Sequence, residues 1–516
     1  MKKSQLSLRY PAGRACSFLG WCAAVLAAIP LLFLCAASLW RSAEFDHNTF
    51  LEALSLAPQR WYLSLAAALA LGAVLAVAGR VFGCGGRRAA NTATAVAAAM
   101  VASLGAAYVL SLHSHPVNDQ AEVWKMALAL ADGNTGRLDM DYLQMYPYQS
   151  GMALLYEPLV WLFGPDPYPA VGLFNALCAG TCVPALCGIC RAIGGSHRAV
   201  VLCALLCLLF LPLPMMSSFL YGTIPALAMA LWALRGALQL CRGGARAWWL
   251  ALLLLLPAVV LYSEMQIFSI AALGILLLHG LLGGGGWRRA LAAVLLLVAC
   301  LNIGQAAQWV FAWRTGITLG EGIPKIAWVV MGLTATDTNS AAGGYNSYTK
   351  ALYWANGGDT AATTAAALAE LRAWLVQSPA QCGARLAFFY EKILTEWLDP
   401  WFTALTVTYQ PEVDTPGAFA ALFCGGALLE PLTALLRTLR TLVYGAAAGG
   451  CVLAARRSGG AVWAQGAGIA FFGCFLFQLA WENHSRYCMP YFLCLLPLAA
   501  LALARLGGRE SGPRNK

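Results

Sequence analysis

The chain has 516 residues, 60% hydrophobic and only 11% charged, against about 25% charged in an ordinary soluble domain. That composition excludes a soluble globular protein and describes an integral membrane protein. The net charge of +10 does not describe a nucleic-acid binder, because the basic residues are dispersed among short turns between apolar stretches.

Windows of about 20 apolar residues, enough to cross a hydrocarbon core of roughly 30 Å, recur along almost the whole sequence. They predict an all-α polytopic fold with about twelve transmembrane helices. The expected spans are Phe18 to Trp40, Trp61 to Ala78, Thr94 to Leu112, Tyr168 to Cys190, Ala199 to Met215 and Leu220 to Leu240. Six more follow: Ala247 to Tyr262, Gln266 to Leu282, Ala290 to Trp313, Thr438 to Ala454, Ala461 to Trp481 and Tyr487 to Leu506. The first is about 23 residues long and lacks a small-x-small site, so it reads as a span and not a cleaved signal.

Lys and Arg near helix ends favour the cytoplasmic side. Lys2, Lys3, Arg9 and Arg14 therefore put the N-terminus inside, and every second turn is then basic: Arg80, Arg87 and Arg88; Arg191 and Arg198; Arg242 and Arg246; Arg288 and Arg289; Arg456 and Arg457; and Arg505, Arg509, Arg514 and Lys516 at a cytoplasmic C-terminus. Arg41 and Arg60, in the first outer turn, depart from the pattern. Of the 23 acidic residues only Glu510 falls firmly on the cytoplasmic side, so the chemistry is expected on the other face. Most of the 18 Cys lie within apolar spans, and the long outer loop has only Cys382 and Cys424; no disulfide framework is implied.

Three regions follow: 1–313, a membrane module with a first outer loop at about 113–167; 314–437, an outer loop region with amphipathic helices; and 438–516, closing membrane helices and a cytoplasmic tail. In the first loop, Met152 to Phe163 is apolar but too short to span and reads as an interfacial or re-entrant helix. In the second, Thr360 to Gln377 and Arg385 to Trp397 read as helices, and Gly343 to Ala355 mixes Tyr, Asn and Trp as a polar, aromatic binding surface would. The run Gly283 to Gly286 reads as a cytoplasmic turn.

The stretch HPVNDQAEV, His115 to Val123, opens the first outer loop. Asp119 followed by Glu122 and an apolar run to Ala131 is a capping-box pattern, so Asp119 reads either as a helix cap or as a carboxylate oriented for work as a base. The loop continues Tyr142-Leu-Gln-Met-Tyr146-Pro147-Tyr148-Gln149-Ser-Gly151, and its short helix ends at Phe163-Gly164. Near the far end the chain reads His484-Ser-Arg486-Tyr487-Cys-Met-Pro490.

An acid just beyond an early span, a Tyr-Pro motif and a short helix closed by Phe-Gly together resemble the first outer loop of type C membrane glycosyltransferases. The nearest branch is the bacterial protein O-mannosyltransferases and lipid A aminoarabinose transferases, often grouped as family 39. The resemblance is strongest over roughly Thr94 to Gly194, and the Arg486-Tyr487-x-x-Pro490 run resembles the element opening that family's last helices. It implies a bacterial plasma membrane, and Asp119 as the base that takes a proton from an acceptor hydroxyl. The hydroxyl then attacks and inverts the anomeric carbon of a sugar carried on a polyprenyl phosphate. Arg486, Lys325, Arg314 and Lys125 are candidates for the phosphate; Glu122, Tyr146, Tyr148, Gln149, His484 and Tyr487 for other substrate contacts; Glu122 or Asp141 for a substitute base. Many members carry adjacent acids here; the neighbours of Asp119 are Asn118 and Gln120, so no cofactor is certain and a divalent metal stays open. His113 and His115 lack a third ligand nearby and read as turn or interface residues.

Several residues carry two readings. Glu264 reads as a binding acid or a solvated turn residue; Asn302, Gln305 and Gln308, at helical spacing, are expected to face a bundle interior or a wet cavity. Tyr345, Tyr348, Tyr353 and Trp354 suit either sugar stacking or the membrane interface. Among function classes, a multi-span transporter is the rival reading, although transporters usually hold ionisable groups in mid-span. A polysaccharide polymerase or ligase, using similar lipid donors, is closer kin.

Overall fold

The computed structural model describes residues 11–334, 341–376 and 381–506; Lys2, Lys3, Arg9, Arg509, Glu510, Arg514, Lys516 and the end of the helix expected to reach Gln377 lie outside the described residues. The chain begins with α1 (Pro11–Trp40), a hairpin of β1 (Arg41–Phe45) and β2 (Leu54–Pro58), then α2 (Trp61–Gly83) and α3 (Gly86–Leu112). The first outer loop holds α4 (Asp119–Asp132), α5 (Met140–Met145) and α6 (Ser150–Phe163). The bundle continues with α7 (Tyr168–Ala192), α8 (His197–Leu209), α9 (Pro212–Met215), α10 (Thr223–Cys241), α11 (Trp248–Leu253), α12 (Leu255–Leu261), α13 (Met265–Leu282) and α14 (Trp287–Thr315). The second outer segment carries α15 (Lys325–Leu333), α16 (Tyr348–Ala355), α17 (Thr360–Leu375), α18 (Cys382–Trp397) and α19 (Ala418–Ala421). The chain closes with α20 (Leu429–Ser458), α21 (Gly466–Ala480), α22 (Ser485–Leu493) and α23 (Leu495–Leu506).

Among the described residues nine helices are long and apolar enough to span, and two bent pairs raise the number to eleven, where the sequence predicts twelve. The bends of 52° at Leu209–Pro212 and 47° at Leu493–Leu495 fall beside Pro212, Pro490 and Pro497, which cannot donate to the preceding turn. The twelfth expected span, Ala247 to Tyr262, is the short apolar run Trp248–Leu261, broken near Leu254. It nevertheless carries the chain from one end of the bundle to the other. Arg289 at the start of α14 donates to the Leu240 carbonyl at the end of α10, 3.3 Å, so α13 returns to the end that α10 reached, and α11–α12 make the crossing between them.

The two ends of the bundle differ in what they carry. At one, Arg80 donates to Leu506 O, Arg191 to Asn91, Arg242 to Ala192 O and Arg457 to Gly194 O. The other bears the hairpin and all helices from both outer segments. The helices pack where small residues allow close approach: a Cβ at Gly450 would strike the Leu498 carbonyl on α23, and one at Gly180 the Ala98 carbonyl on α3, the small-residue packing expected between helices in lipid. α10 is central, with 78% of its apolar window buried, whereas α14 at 17% is peripheral.

The last long outer segment ends earlier than expected. α20 begins at Leu429 and not near Thr438, and at about 1.5 Å per residue its 30 residues overreach the hydrocarbon core. Its projecting end uses Arg437 to meet Glu44 on β1 at 2.7 Å and Arg440 to donate to the Leu398 carbonyl, which also accepts from Ala43 N at 2.9 Å. This hairpin is the one β-sheet among the described residues. Trp40 and Trp61, flanking it, lie 5.8 Å apart and anchor it at the interface alongside Arg41 and Arg60. α6 is a 14-residue helix with Trp161, Leu162 and Phe163 exposed.

Candidate functional site

α4 buries Val123, Trp124, Met126, Ala127 and Leu130, spacings of one, three and four residues that line one helical face, and stops at Gly133 with φ 70°. Two polar contacts fix it against the segment before α10: Trp124 Nε1 donates to Leu220 O at 3.1 Å, and the Gln120 side chain accepts from Leu220 N at 2.9 Å. Trp124 also stacks on Tyr156 of α6 at 4.4 Å. The capping expectation for Asp119 is not met. Asn118 takes the cap position with φ 50°, and no side chain caps the helix; Asp119 is the first helical residue and its side chain is exposed. Its carboxylate is therefore not spent on the backbone.

Four tyrosines and a glutamate surround it. Asp119 acts electrostatically on Tyr142, Tyr146, Tyr148, Tyr221 and Glu482. Burial first, then the Asp119 charge, pushes the Tyr142 hydroxyl well above the ordinary phenol value; that hydroxyl is buried and completes no hydrogen bond. α5 is started by Asp139, which accepts from Tyr142 N at 3.0 Å, and it sets Tyr142 and Tyr146 ring to ring at 5.0 Å. Gln149 donates to the Tyr221 hydroxyl.

The second half of the site comes from the turns before α13 and α22. Arg486, on the first turn of α22, acts on Tyr221, Glu264 and Glu482, so Tyr221 and Glu482 feel both Asp119 and Arg486. Tyr487 shares a 3.4 Å contact with Arg486. Lys325, at the start of α15, acts on Glu264. Burial lifts both Glu264 and Glu482 to about 7, with Arg486 pulling each the other way. Glu264 is not a solvated turn residue: its carbonyl accepts from Tyr491 at 2.7 Å and Oε2 is buried without a partner. Glu52, from the hairpin tip, meets His484 at 2.5 Å and Arg486 at 3.9 Å. Partial desolvation opposes its ionisation, but His484 and Arg486 outweigh that and hold its carboxyl at about 2.

The structure thus brings Asp119, Tyr146, Tyr148, Gln149, Lys325, His484, Arg486 and Tyr487 together at the end of the bundle that bears the hairpin. Glu122 and Lys125 instead pair with each other at 2.6 Å. Arg314 forms a two-pronged bridge with Glu157, a carboxylate only 2% exposed on α6. Sequence reasoning missed Glu52, Tyr142 and Tyr221 as neighbours of the site, and also Lys350, whose ammonium sits over the rings of Tyr146 and Tyr345 at 5.8 and 5.9 Å. These come from separate loops, and no local pattern marks them; the run of outer Tyr residues was the one usable signal. Tyr348 bonds Glu370 and Tyr353 bonds Gln144 O, while Tyr345 and Trp354 are exposed.

Asn302, Gln305 and Gln308 do not face the bundle interior. Asn302 bonds back to Val298 O at 2.8 Å, and Gln305 and Gln308 line a surface groove of about 460 Å3 with Trp309 and Trp313, as the peripheral position of α14 dictates. His113 ends α3 with φ 53°, and the His115 ring lies 6.3 Å from Tyr168. Among the described residues no three His, Cys, Asp or Glu side chains converge as a metal-ligand set. No family model, curated protein or solved structure matches this chain.

Proposed function

We propose that this protein is an inverting glycosyltransferase of the outer membrane face, moving a sugar from a polyprenyl-phosphate donor to a hydroxyl of a cell-envelope glycan, polymer, lipid or protein. The observation that carries the reading is an exposed Asp119 free of helix capping, in electrostatic reach of Glu482, which in turn feels Arg486. Asp119 takes the proton of the acceptor hydroxyl; the oxygen attacks the anomeric carbon as the bond to phosphate breaks. The leaving phosphate keeps the electron pair, and Arg486 and Lys325 stabilise its growing charge. The exposed aromatic residues Tyr148 and Tyr345 offer faces for the sugar.

A proton-coupled transporter is the second reading, favoured by two carboxyls near 7 beside Arg486. One experiment separates them. Purified protein is supplied with labelled polyprenyl-phosphate sugars and membrane-extract acceptors, and separately, in proteoliposomes, with a proton gradient. Sugar transfer without any gradient supports the enzyme. Gradient-driven uptake with no transfer supports the transporter.

A further inference from the structure

Arg486 and His484 have hydrogen-bonding capacity to spare. Arg486 Nε is buried without a partner, as is His484 Nδ1, and the His484 side chain is only 9% exposed. The group that meets them is the Glu52 carboxylate, which bonds His484 at 2.5 Å and stands off Arg486 at 3.9 Å. Its side chain is 46% exposed, and His484 is its one hydrogen-bond partner among the described residues.

The segment that carries Glu52 is firmly held everywhere except at this tip. Asp46 closes the turn by accepting from Asn48 N at 2.9 Å, and His47 pairs with Glu430 at 2.8 Å. Phe50 is buried against Phe45 and Tyr409 at 5.3 and 4.9 Å. Leu51, next to Glu52, is 61% exposed. A rotation of the Glu52 side chain alone therefore uncovers the pair without unfolding the hairpin.

We propose that Glu52 is a built-in occupant of an anion subsite formed by His484 and Arg486, and that a phosphate displaces it on binding. This rests on the reading of Arg486 as the donor-phosphate end of the site. A carboxylate and a phosphate monoester or diester offer the same oxygens to the same donors, and the looser Arg486 contact is the one a doubly charged phosphate would tighten. Glu52 then sets the affinity of the resting site: a ligand that must first displace it binds more weakly by the fraction of time the subsite is free.

The test uses the full chain in nanodiscs and measures binding of polyprenyl phosphate, and separately of inorganic phosphate, by calorimetry. Glu52→Gln and Glu52→Ala are expected to bind polyprenyl phosphate about tenfold more tightly than wild type, as for a subsite occupied about nine-tenths of the time, and Arg486→Gln is expected to lose binding. A parallel gain for inorganic phosphate identifies the headgroup alone as the displacing ligand; a gain confined to the lipid identifies lipid-attached phosphate. Unchanged or weaker binding in both folded Glu52 variants overturns the proposal, whatever the enzyme assay shows. If binding tightens but no sugar is ever transferred, the transferase reading falls and the displaced-carboxylate subsite stands.

Discussion

Asp119 and Glu482 show how differently single residues can be read. The Asp119 position was legible because an acid at the mouth of a span is conspicuous in a chain that is 11% charged. Its freedom from capping was not, because the backbone turn at Asn118 depends on how α4 docks against Leu220 and Tyr221. Glu264 was legible as a binding acid or a turn residue, but the burial of Glu264 and Glu482 was not, since it arises from packing across hundreds of residues. Their titration gives a direct prediction. Both carboxyls sit at about 7 instead of 4.5, so the fold binds protons that the unfolded chain has already released, and their contribution to stability declines as pH rises from about 4.5 to 7. Across the same upper range the site gains up to two negative charges. KM for the anionic donor is expected to rise between pH 6 and 8, and Glu482→Gln is expected to flatten that rise; an identical pH profile in the variant contradicts the assignment.

At the scale of elements, the outer helices were legible wherever periodicity was strong. α17 and α18 fall within a few residues of the expected ranges, and α6 is the short helix that its length required. The hairpin was not legible, since five-residue strands between two apolar helices leave no alternation long enough to read. Nor was the overreach of α20, because Arg437 looks like a loop charge and Arg440 like a charge near the start of a span until their partners Glu44 and Leu398 are known. The bridge between α14 and α6 makes a stability prediction. Arg314→Ala leaves the Glu157 carboxylate buried and unpaired, a change worth roughly 3 kcal/mol or more, and is expected to lower the thermal midpoint well beyond any effect on donor affinity in the surviving fold. A second prediction concerns α18. Lys392 there donates to Gly332 O and Trp481 O at 2.5 Å each, steadying the turn that carries Glu482. Burial raises the nearby Glu396 carboxyl above its usual range against the pull of Lys392. Wild type should therefore lose stability as pH rises from about 4.5 through that raised value, and Glu396→Gln should lose less; equal slopes in thermal unfolding would show that the carboxyl does not titrate there.

For the whole molecule, apolar windows and the alternation of basic turns anticipated a bundle whose short turns bearing Arg80, Arg191, Arg242 and Arg457 gather at one end. What the sequence could not convey was which expected spans bend, because proline position alone does not say whether neighbours re-satisfy the freed backbone groups. The two ends carry natural reporters: Cys84 and Cys382 are the two exposed cysteines among the described residues, Cys84 near Arg80 and Cys382 on α18. In intact cells an impermeant maleimide is expected to label Cys382 and spare Cys84, and Cys382→Ser to abolish the signal; labelling of Cys84 alone would invert the assigned orientation. The central claim, that Asp119 is the base of a sugar transfer, is met most directly by single-turnover transfer from a polyprenyl-phosphate sugar by wild type and Asp119→Asn at saturating donor. The account predicts a rate lower by about 10² to 10⁴ in the variant with donor binding preserved; equal rates in the two proteins would contradict it.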